Sequence, residues 1–116
     1  LYAMYHAFLN ISDADWFFVL ASDIPFVTAD FVENMLVNAE NEDFDAIIPI
    51  QSNTLQPLFG LYHRRVIGKM KESLAKNNRK LQLFLSEINL LTISYSKDDP
   101  VFMNINSPKD WPKENQ

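Results

Sequence analysis

The chain has 116 residues, a formal net charge of −5, 47% hydrophobic and 22% charged residues, and no cysteine. This length suits one domain, so we expect residues 1–116 to form a single unit, and the composition excludes a disordered chain. The negative charge argues against a nucleic acid or an anionic membrane as partner, because both reward clustered Lys and Arg. No apolar run is long enough to span a bilayer, so a cytoplasmic location is the default expectation.

The first two predicted elements are a helix and an apolar strand. Residues 1–11 place apolar side chains at helical spacing. Residues 16–26 form an apolar run with a single carboxylate, Asp23, which predicts a strand buried on both faces. Ligands bind at the carboxyl ends of such strands, which makes Asp23 a candidate metal ligand. The alternative is that Asp23 only caps the turn before Pro25, and position alone does not separate the two.

Residues 28–62 predict a helix followed by two short strands. Thr28 is a favoured N-cap, and the apolar series behind it should end near Glu40. Residues 45–50 form a strand in which Pro49 indicates an edge, a bulge or the strand's end. Residues 56–62 form a further strand candidate. The two strands should be antiparallel if they pair, because a parallel crossover needs a dozen or more residues.

The rest of the chain continues the alternation of helices and strands. The predicted elements are a helix from Val66, a short amphipathic helix at 81–88, strands at 90–95 and 101–105, and a helix that starts at Ser107. This alternation predicts a Rossmann-like three-layer α/β/α fold with a mixed, mostly parallel sheet. Between two of the helices, the polar segment Asn77-Asn78-Arg79-Lys80 breaks the helical pattern.

Two asparagines near the end of the chain form a second candidate site. In a strand, residues two apart share a face, so Asn104 and Asn106 would point the same way. Their amides are neutral groups that can join a Mg²⁺ shell or hold a ribose or phosphate oxygen. The alternative is that Asn106 stabilises the turn before Ser107 by an Asx-type hydrogen bond.

Three segments together resemble one family, the MobA-like nucleotidyltransferases. They are Val-Leu-Ala-Ser-Asp-Ile-Pro-Phe at 19–26 with Thr-Ala-Asp at 28–30, Gln-Pro-Leu-Phe-Gly-Leu-Tyr at 56–62, and Asn-Ile-Asn-Ser-Pro-Lys-Asp at 104–110. They occur in the family's order and span residues 19–110. The branch of the family that acts on the molybdenum cofactor is the most similar.

The resemblance implies a reaction and a set of site residues. Members of that branch bind guanosine triphosphate (GTP) and Mg²⁺, transfer guanylate to molybdopterin cofactor and release pyrophosphate. By the same resemblance, Asp23 corresponds to the metal-binding aspartate, and Asn104 and Asn106 correspond to paired asparagines near the metal and the cofactor. Arg79 and Lys80 fall in a segment where the family carries basic residues, so they either contact the anionic cofactor or lie in a solvated loop. Asp110 is expected to cap its helix rather than bind metal.

The chain also departs from the family pattern. The family's glycine-rich phosphate-binding start is absent, and only two glycines, Gly60 and Gly68, occur in the chain. We therefore expect the carboxyl-terminal part of a transferase that is incompetent alone, with an exposed sheet edge beside the first strand that invites self-association. Two alternatives stay open. One is a nucleotidyltransferase of this fold that uses cytidine triphosphate (CTP) or a sugar phosphate, and the other is a non-catalytic nucleotide- or partner-binding module.

Overall fold

A computed structural model describes residues 1–11, 14–20, 27–40 and 43–102. Its helices are α1 (Tyr2–Leu9), α2 (Ala29–Val37), α3 (Val66–Ala75) and α4 (Leu81–Leu85), and its strands are β1 (Trp16–Phe18), β2 (Ala46–Gln51), β3 (Thr54–Leu55), β4 (Leu61–His63) and β5 (Leu90–Tyr95). Short 3₁₀ helices cover Asn38–Glu40, Pro57–Phe59 and Pro100–Phe102. In this described part of the chain, no helix combines the length and apolar character needed to cross a membrane.

The five strands form one mixed sheet in which β2 is the shared strand. β5 pairs with β2 in parallel along its whole length, from Ala46 opposite Leu90 to Gln51 opposite Tyr95. The other edge of β2 is divided between β4 and β3, which both pair with it antiparallel. β1 pairs antiparallel with β4 and ends the strand order. The mixed sheet was predicted, but the described pairings are mostly antiparallel rather than mostly parallel, because β4 runs between β1 and β2 in the opposite direction.

Side chains on the two faces of the sheet enter two separate cores. Ala46, Ile48 and Tyr62 point to one face, where α1, α3 and α4 cover them. Ile47 and Leu61, their neighbours along the same strands, point to the other face, which α2 and the 3₁₀ helices Pro57–Phe59 and Pro100–Phe102 cover. This alternation follows from the two-residue period of a strand. The helices therefore lie on both faces, which confirms the three-layer α/β/α prediction.

Most predicted helices and strands are confirmed where the structure describes them. Thr28 caps α2 as expected, because its Oγ1 accepts a hydrogen bond from the Phe31 amide at 3.1 Å. β5 has the predicted bounds. The expected antiparallel pairing after β2 is also present. The predicted helix at Ser107 lies outside the described residues.

Three strand predictions need correction. Residues 56–62 are not one strand, because Pro57 begins a 3₁₀ helix and only Leu61 and Tyr62 of that range belong to β4. Within the predicted strand 101–105, Val101 and Phe102 lie in a 3₁₀ helix, where the Val101 amide donates to Asp99 Oδ1 at 3.0 Å. In the run 16–26, the described strand is three residues long with only its middle residue buried. Among the residues that the structure describes, it pairs with β4 alone, whereas a central strand has two partners.

Pro49 occupies the central strand without breaking the sheet. The β2 residues Ala46 and Ile47 pair with β4, whereas Ile50 and Gln51 pair with β3. Pro49 thus lies where the antiparallel partner of β2 changes from β4 to β3. Neither strand pairs with β2 at this position, so the missing N–H of proline removes no hydrogen bond to them. Its carbonyl still accepts the Gln56 amide at 2.9 Å. The sequence correctly indicated an interruption here but not that the strand would be central.

Asp45 joins four elements at the amino end of β2. Its carboxylate is only 4% exposed, and it accepts from Lys69 Nζ at 2.7 Å and from the Asn89 amide at 3.0 Å, with Arg65 Nε at 3.4 Å. Its backbone bonds Asn89 and His63. Burial acts to raise the pKa of the Asp45 carboxyl, but the Asn89 amide, Lys69 and Arg65 outweigh it and hold the pKa below its ordinary value.

Gly60 allows β4 to approach β2 closely. A Cβ on Gly60 would lie 2.6 Å from Ile48 Cδ1 and 3.1 Å from the Ile47 carbonyl oxygen. Ile48 is fully buried, so its side chain has little room to move away. The other glycine, Gly68 in α3, has nothing within 4 Å of the same position.

These two glycines give a matched pair of substitutions. Gly60→Ala should lower the free energy of unfolding by about 1–3 kcal/mol, because the added methyl overpacks the contact between β4 and β2. Gly68→Ala should raise it by about 0.5–1 kcal/mol, because alanine favours a helix interior. Urea unfolding followed by circular dichroism measures both. Equal effects of the two changes would contradict the close approach at Gly60.

Asp45→Asn should lower the free energy of unfolding at pH 7 by about 1–3 kcal/mol, because the charge-assisted bonds to Lys69 and the Asn89 amide are lost. Since the folded-state pKa is lowered, this stabilisation is full above the ordinary pKa of about 4 and disappears as the pH falls through the folded-state value. Unfolding curves between pH 2 and pH 7, as an approximate range, test this dependence. The exposed Asp15→Asn is the control, and an equal loss in both variants would count against the role of Asp45.

Candidate active site

The carboxyl ends of three strands lie at one edge of the sheet. β1 and β2 are both antiparallel to β4, so they run in the same direction, and β5 is parallel to β2. The residues that follow β1, β2 and β5 therefore leave the sheet on the same side, which we call the carboxyl edge. Asp45 and Asn89 lie at the opposite, amino edge. In open α/β sheets the carboxyl edge is where ligands bind.

Three of the four predicted site residues lie outside the described residues. These are Asp23, Asn104 and Asn106. In sequence, Asp23 falls between Leu20, which follows β1, and Val27, which precedes α2. Asn104 comes two residues after Phe102, the end of the last described 3₁₀ helix. The described segments that lead toward both motifs thus belong to the carboxyl edge.

A cleft of about 250 Å³ lies at this edge beside the amino end of α2. Its polar lining comes from α2 and from the segment after β5: Thr28, Asp30, Asn34, Tyr95 and Asp99. Asn34 Nδ2 donates to the Tyr95 hydroxyl oxygen at 2.8 Å. Burial raises the pKa of the Tyr95 hydroxyl, and the negative charge of Asp99 raises it further. The hydrogen bond from Asn34 lowers this pKa but does not cancel the rise. The phenol is thus neutral at physiological pH.

Gln51 and Asp99 are polar residues at this edge that the sequence prediction missed. Gln51 Nε2 donates to the carbonyl oxygens of Ser96 at 2.8 Å and Asp99 at 3.1 Å. A glutamine at the end of an apolar strand was visible in the sequence. Its partners lie more than forty residues away, however, and only the parallel pairing of β2 with β5 brings them together.

The predicted donors suit magnesium chemically. Mg²⁺ prefers carboxylate, amide and water oxygens, which Asp23 and the asparagines would supply. Among the residues that the structure describes, no group of three His, Asp or Glu side chains could hold a metal ion.

Arg79, the fourth predicted site residue, belongs to the described part of the chain. It is exposed in the connection between α3 and α4. No hydrogen bond or ion pair of the described residues joins it to the carboxyl edge. The neighbouring Asn78 Oδ1 accepts the Lys80 amide at 3.2 Å, which holds this connection locally.

The family model and the curated relatives that match this chain belong to the same family. Residues 1–90 match the model of the MobA-like NTP transferase domain. The chain is 32% identical over 105 residues to a molybdenum cofactor guanylyltransferase of Photobacterium profundum, covering 90% of this chain and 54% of the relative. It is 33% identical to one of Vibrio campbellii, again covering 90% of this chain and 53% of the relative. The chain thus spans about half the length of the curated relatives it matches.

Solved structures show the same fold. Molybdopterin-guanine dinucleotide biosynthesis protein A from Archaeoglobus fulgidus superposes with a TM-score of 0.71 at 23% identity, covering 92% of this chain and 56% of that chain. A protein from Aquifex aeolicus gives a TM-score of 0.75 at 19% identity, covering 90% and 54%. At these identities the likeness establishes the fold. Together with the match over residues 1–90, it shows that the chain belongs to the MobA-like NTP transferase family.

Proposed function

We propose that the chain is part of a molybdenum cofactor guanylyltransferase, which transfers GMP from GTP to molybdopterin cofactor and releases pyrophosphate. The names of the relatives at 32% and 33% identity support this assignment. The observation that carries it is the common direction of β1, β2 and β5. Because of this direction, the described residues that follow β1 and those that follow β5 leave the sheet at one edge, and the sequence motifs with Asp23 and with the two asparagines come after them along the chain.

The reaction requires alignment of charged groups rather than redox chemistry. An oxygen of the acceptor cofactor forms a bond to the α-phosphorus of GTP, while the bond from that phosphorus to the bridging oxygen breaks. The electron pair of the broken bond leaves with pyrophosphate. A bound Mg²⁺ would neutralise negative charge on the phosphate oxygens. The protein groups must hold the acceptor oxygen opposite the leaving oxygen.

Each predicted site residue has a role in this proposal. Asp23 holds Mg²⁺, for which a carboxylate is a preferred ligand. Asn104 and Asn106 donate to or accept from oxygens of the nucleotide or the cofactor without adding charge. Arg79 contacts the anionic cofactor, a role that its exposed guanidinium allows. The proposal includes a cytoplasmic location, which remains an expectation from the sequence.

The chain alone should not catalyse transfer. A phosphate-binding loop needs glycines for close backbone approach, and the chain's two glycines serve β4 and α3. The chain also spans about half of its relatives. We therefore place the phosphate-binding function in the half of the relatives that this chain does not match.

A second candidate is a transferase of the same fold that uses CTP or a sugar phosphate. The observation in its favour is that the matched family model describes an NTP transferase without naming a base. Side-by-side assays with GTP and CTP separate the two candidates. A preference for CTP would overturn the guanylyltransferase assignment while leaving the family unchanged.

Metal-site function can be tested in a chimera in which this chain replaces the matching segment of the Photobacterium relative. Asp23→Asn should lower kcat/KM for guanylate transfer by about 100-fold or more, because a metal ligand is lost. Asp15→Asn makes the same chemical change at the other end of β1 and should leave the rate near that of the parent chimera. Transfer is measured by release of pyrophosphate.

Two results would contradict this part of the proposal. Near-parental turnover by Asp23→Asn would remove Asp23 from the mechanism. Absence of guanylate transfer by the folded parent chimera would contradict the guanylyltransferase function itself. Transfer by the isolated chain at the chimera's rate would contradict its proposed incompetence.

We also propose that the isolated chain self-associates through the edge of β1 that faces away from β4, with which no strand of the described residues pairs. The Val19 amide donates to the Gly60 carbonyl at 2.8 Å, and the Asp15 carbonyl accepts from the Arg64 amide at 2.8 Å. By the alternation of an antiparallel pair, the N–H and C=O groups of Trp16 and Phe18 therefore face away from β4. Such an unpaired edge recruits another strand.

Phe18→Pro tests this proposal with Phe18→Ala as the matched control. Both variants lose the ring, but only proline removes the edge N–H. In sedimentation velocity the parent chain and Phe18→Ala should form dimers, and Phe18→Pro should be shifted toward monomers. A parent chain that stays monomeric at concentrations of about 100 μM would rule out pairing through this edge as a stable association.

A further inference from the structure

The basic residues of this chain are concentrated in one stretch. Residues 64–87, which contain α3, α4 and the connection between them, hold seven Lys or Arg and two Asp or Glu, a net charge of +5. The rest of the chain holds three Lys or Arg and thirteen Asp or Glu, a net charge of −10. The formal net charge of −5 is thus very unevenly distributed, which favours an anionic partner at this stretch.

The fold neutralises only part of this positive charge. Near the beginning of α3, Lys69 Nζ contacts the Asp45 carboxylate at 2.7 Å. Farther along, Lys76, Arg79 and Lys80 are exposed, and no ion pair joins them to an acid among the residues that the structure describes. The excess positive charge therefore lies at the end of α3 and in the connection to α4.

The two acids of the stretch lie beside this group without removing its charge. Glu72 and Glu87 line a cleft of about 170 Å³ that Lys76 also borders. Arg79 and Lys80 do not line this cleft. An anionic group is therefore attracted to the side of Lys76 on which the connection lies, because the cleft itself carries carboxylates.

The connection between α3 and α4 has a fixed shape. Asn77 has a left-handed backbone with φ of 65°, and its amide donates to the Leu74 carbonyl at 3.0 Å. The Asn78 amide donates to the Ser73 carbonyl at 2.9 Å, and Asn78 Oδ1 accepts the Lys80 amide at 3.2 Å. These bonds close the end of α3 and hold the basic residues in place. A partner that binds here does not have to order the backbone.

An exposed leucine follows the basic connection. Phe84 and Leu85 are 0% and 1% exposed and belong to the core that α1, α3 and α4 cover. Leu83, which precedes them in the same short helix, is 50% exposed. Lys80 comes directly before α4, and Leu83 lies one turn farther on. An apolar contact surface is thus placed next to the excess positive charge.

We infer that Lys76, Lys80 and Leu83 form a docking surface for an acidic segment of a partner protein, an inference that is independent of the proposed guanylate transfer. Carboxylates of the segment pair with the two lysines, and an apolar side chain between the carboxylates packs on Leu83. Specific protein interfaces combine an apolar anchor with complementary charge in this way. A long polyanion suits the surface less, because the acidic remainder of the chain repels it and a phosphate backbone offers Leu83 no apolar group.

The binding test titrates the ¹⁵N-labelled chain with a synthetic polyglutamate peptide that contains one central leucine. The amide resonances of Lys76, Lys80 and Leu83 should shift in a saturable way, with a dissociation constant on the order of 10–100 μM at low salt that rises with ionic strength. A polyglutamate peptide with serine in place of the leucine should bind about fivefold more weakly, because the contact with Leu83 is lost.

Three variants test the surface residue by residue. Lys80→Glu should weaken binding of the leucine peptide by about tenfold, because an attractive charge becomes repulsive. Lys97→Glu makes the same change at an exposed lysine outside the surface and should leave the affinity within about twofold. Leu83→Gln should remove the preference for the leucine peptide over the serine peptide. Should Lys80→Glu lose the dispersed spectrum of a folded chain, Lys80→Gln replaces it, with Lys97→Gln as control.

Three results would overturn the inference. The first is the absence of saturable shifts at residues 76–83 at peptide concentrations up to about 1 mM. The second is an equal loss of affinity in Lys80→Glu and Lys97→Glu, or equal affinity of the parent chain for the two peptides. The third is tighter binding of duplex DNA or of phosphatidylserine vesicles than of the leucine peptide, which would make this a general polyanion surface.

Discussion

The buried carboxylate of Asp45 is the interaction on which the arrangement of the sheet depends. At the amino edge, four separate elements have to meet: the starts of β2 and β5, the end of β4, and α3. Asp45 bonds groups from each of the other three, through Asn89, His63 and Lys69. A charge at 4% exposure is stable only with such partners. The register of β5 on β2, and hence the position of the turn 96–99 and of the 3₁₀ helix Pro100–Phe102, is fixed from this point.

The opposite end of β2 lies at the edge of the sheet where we propose that catalysis takes place. Gln51 lies at the carboxyl edge of the strand that Asp45 anchors, and it holds the turn from which the chain proceeds toward the asparagine pair. A site for phosphoryl chemistry needs fixed polar groups more than reactive ones. The two ends of β2 therefore have different roles, because Asp45 fixes the register of the sheet at one end and Gln51 holds the turn 96–99 at the other.

Local patterns allowed much of the fold to be predicted, whereas pairing depended on distant residues. The Thr28 cap and the bounds of β5 follow from turn chemistry and apolar spacing within a few residues. The apolar run at 16–26 did not reveal that β1 would be short and would pair, among the described residues, with β4 alone, because burial depends on neighbours elsewhere in the chain. The 3₁₀ helices at Pro57 and Pro100 were mistaken for strands, since short apolar runs do not separate the two conformations.

The candidate site was predicted mainly from a family resemblance rather than from physical reasoning. The family is confirmed by the match over residues 1–90. The roles of Asp23, Asn104 and Asn106 remain proposals, because these residues lie outside the described segments. Asp45 and Gln51 were missed for one physical reason. Each works through partners that only the folded sheet brings close, so neither has a motif in the sequence.

The central claim is that nucleotide and metal bind at the carboxyl edge of β1, β2 and β5. It is tested most directly by adding GTP with Mn²⁺ in place of Mg²⁺ to the ¹⁵N-labelled chimera and recording paramagnetic broadening of amide resonances. The account predicts broadening around Leu20, Thr28 and Gln51, with sharp resonances for Asp45 and Asn89 at the amino edge. Broadening centred on Asp45 and Asn89, or none at the carboxyl edge with GTP bound, would contradict it.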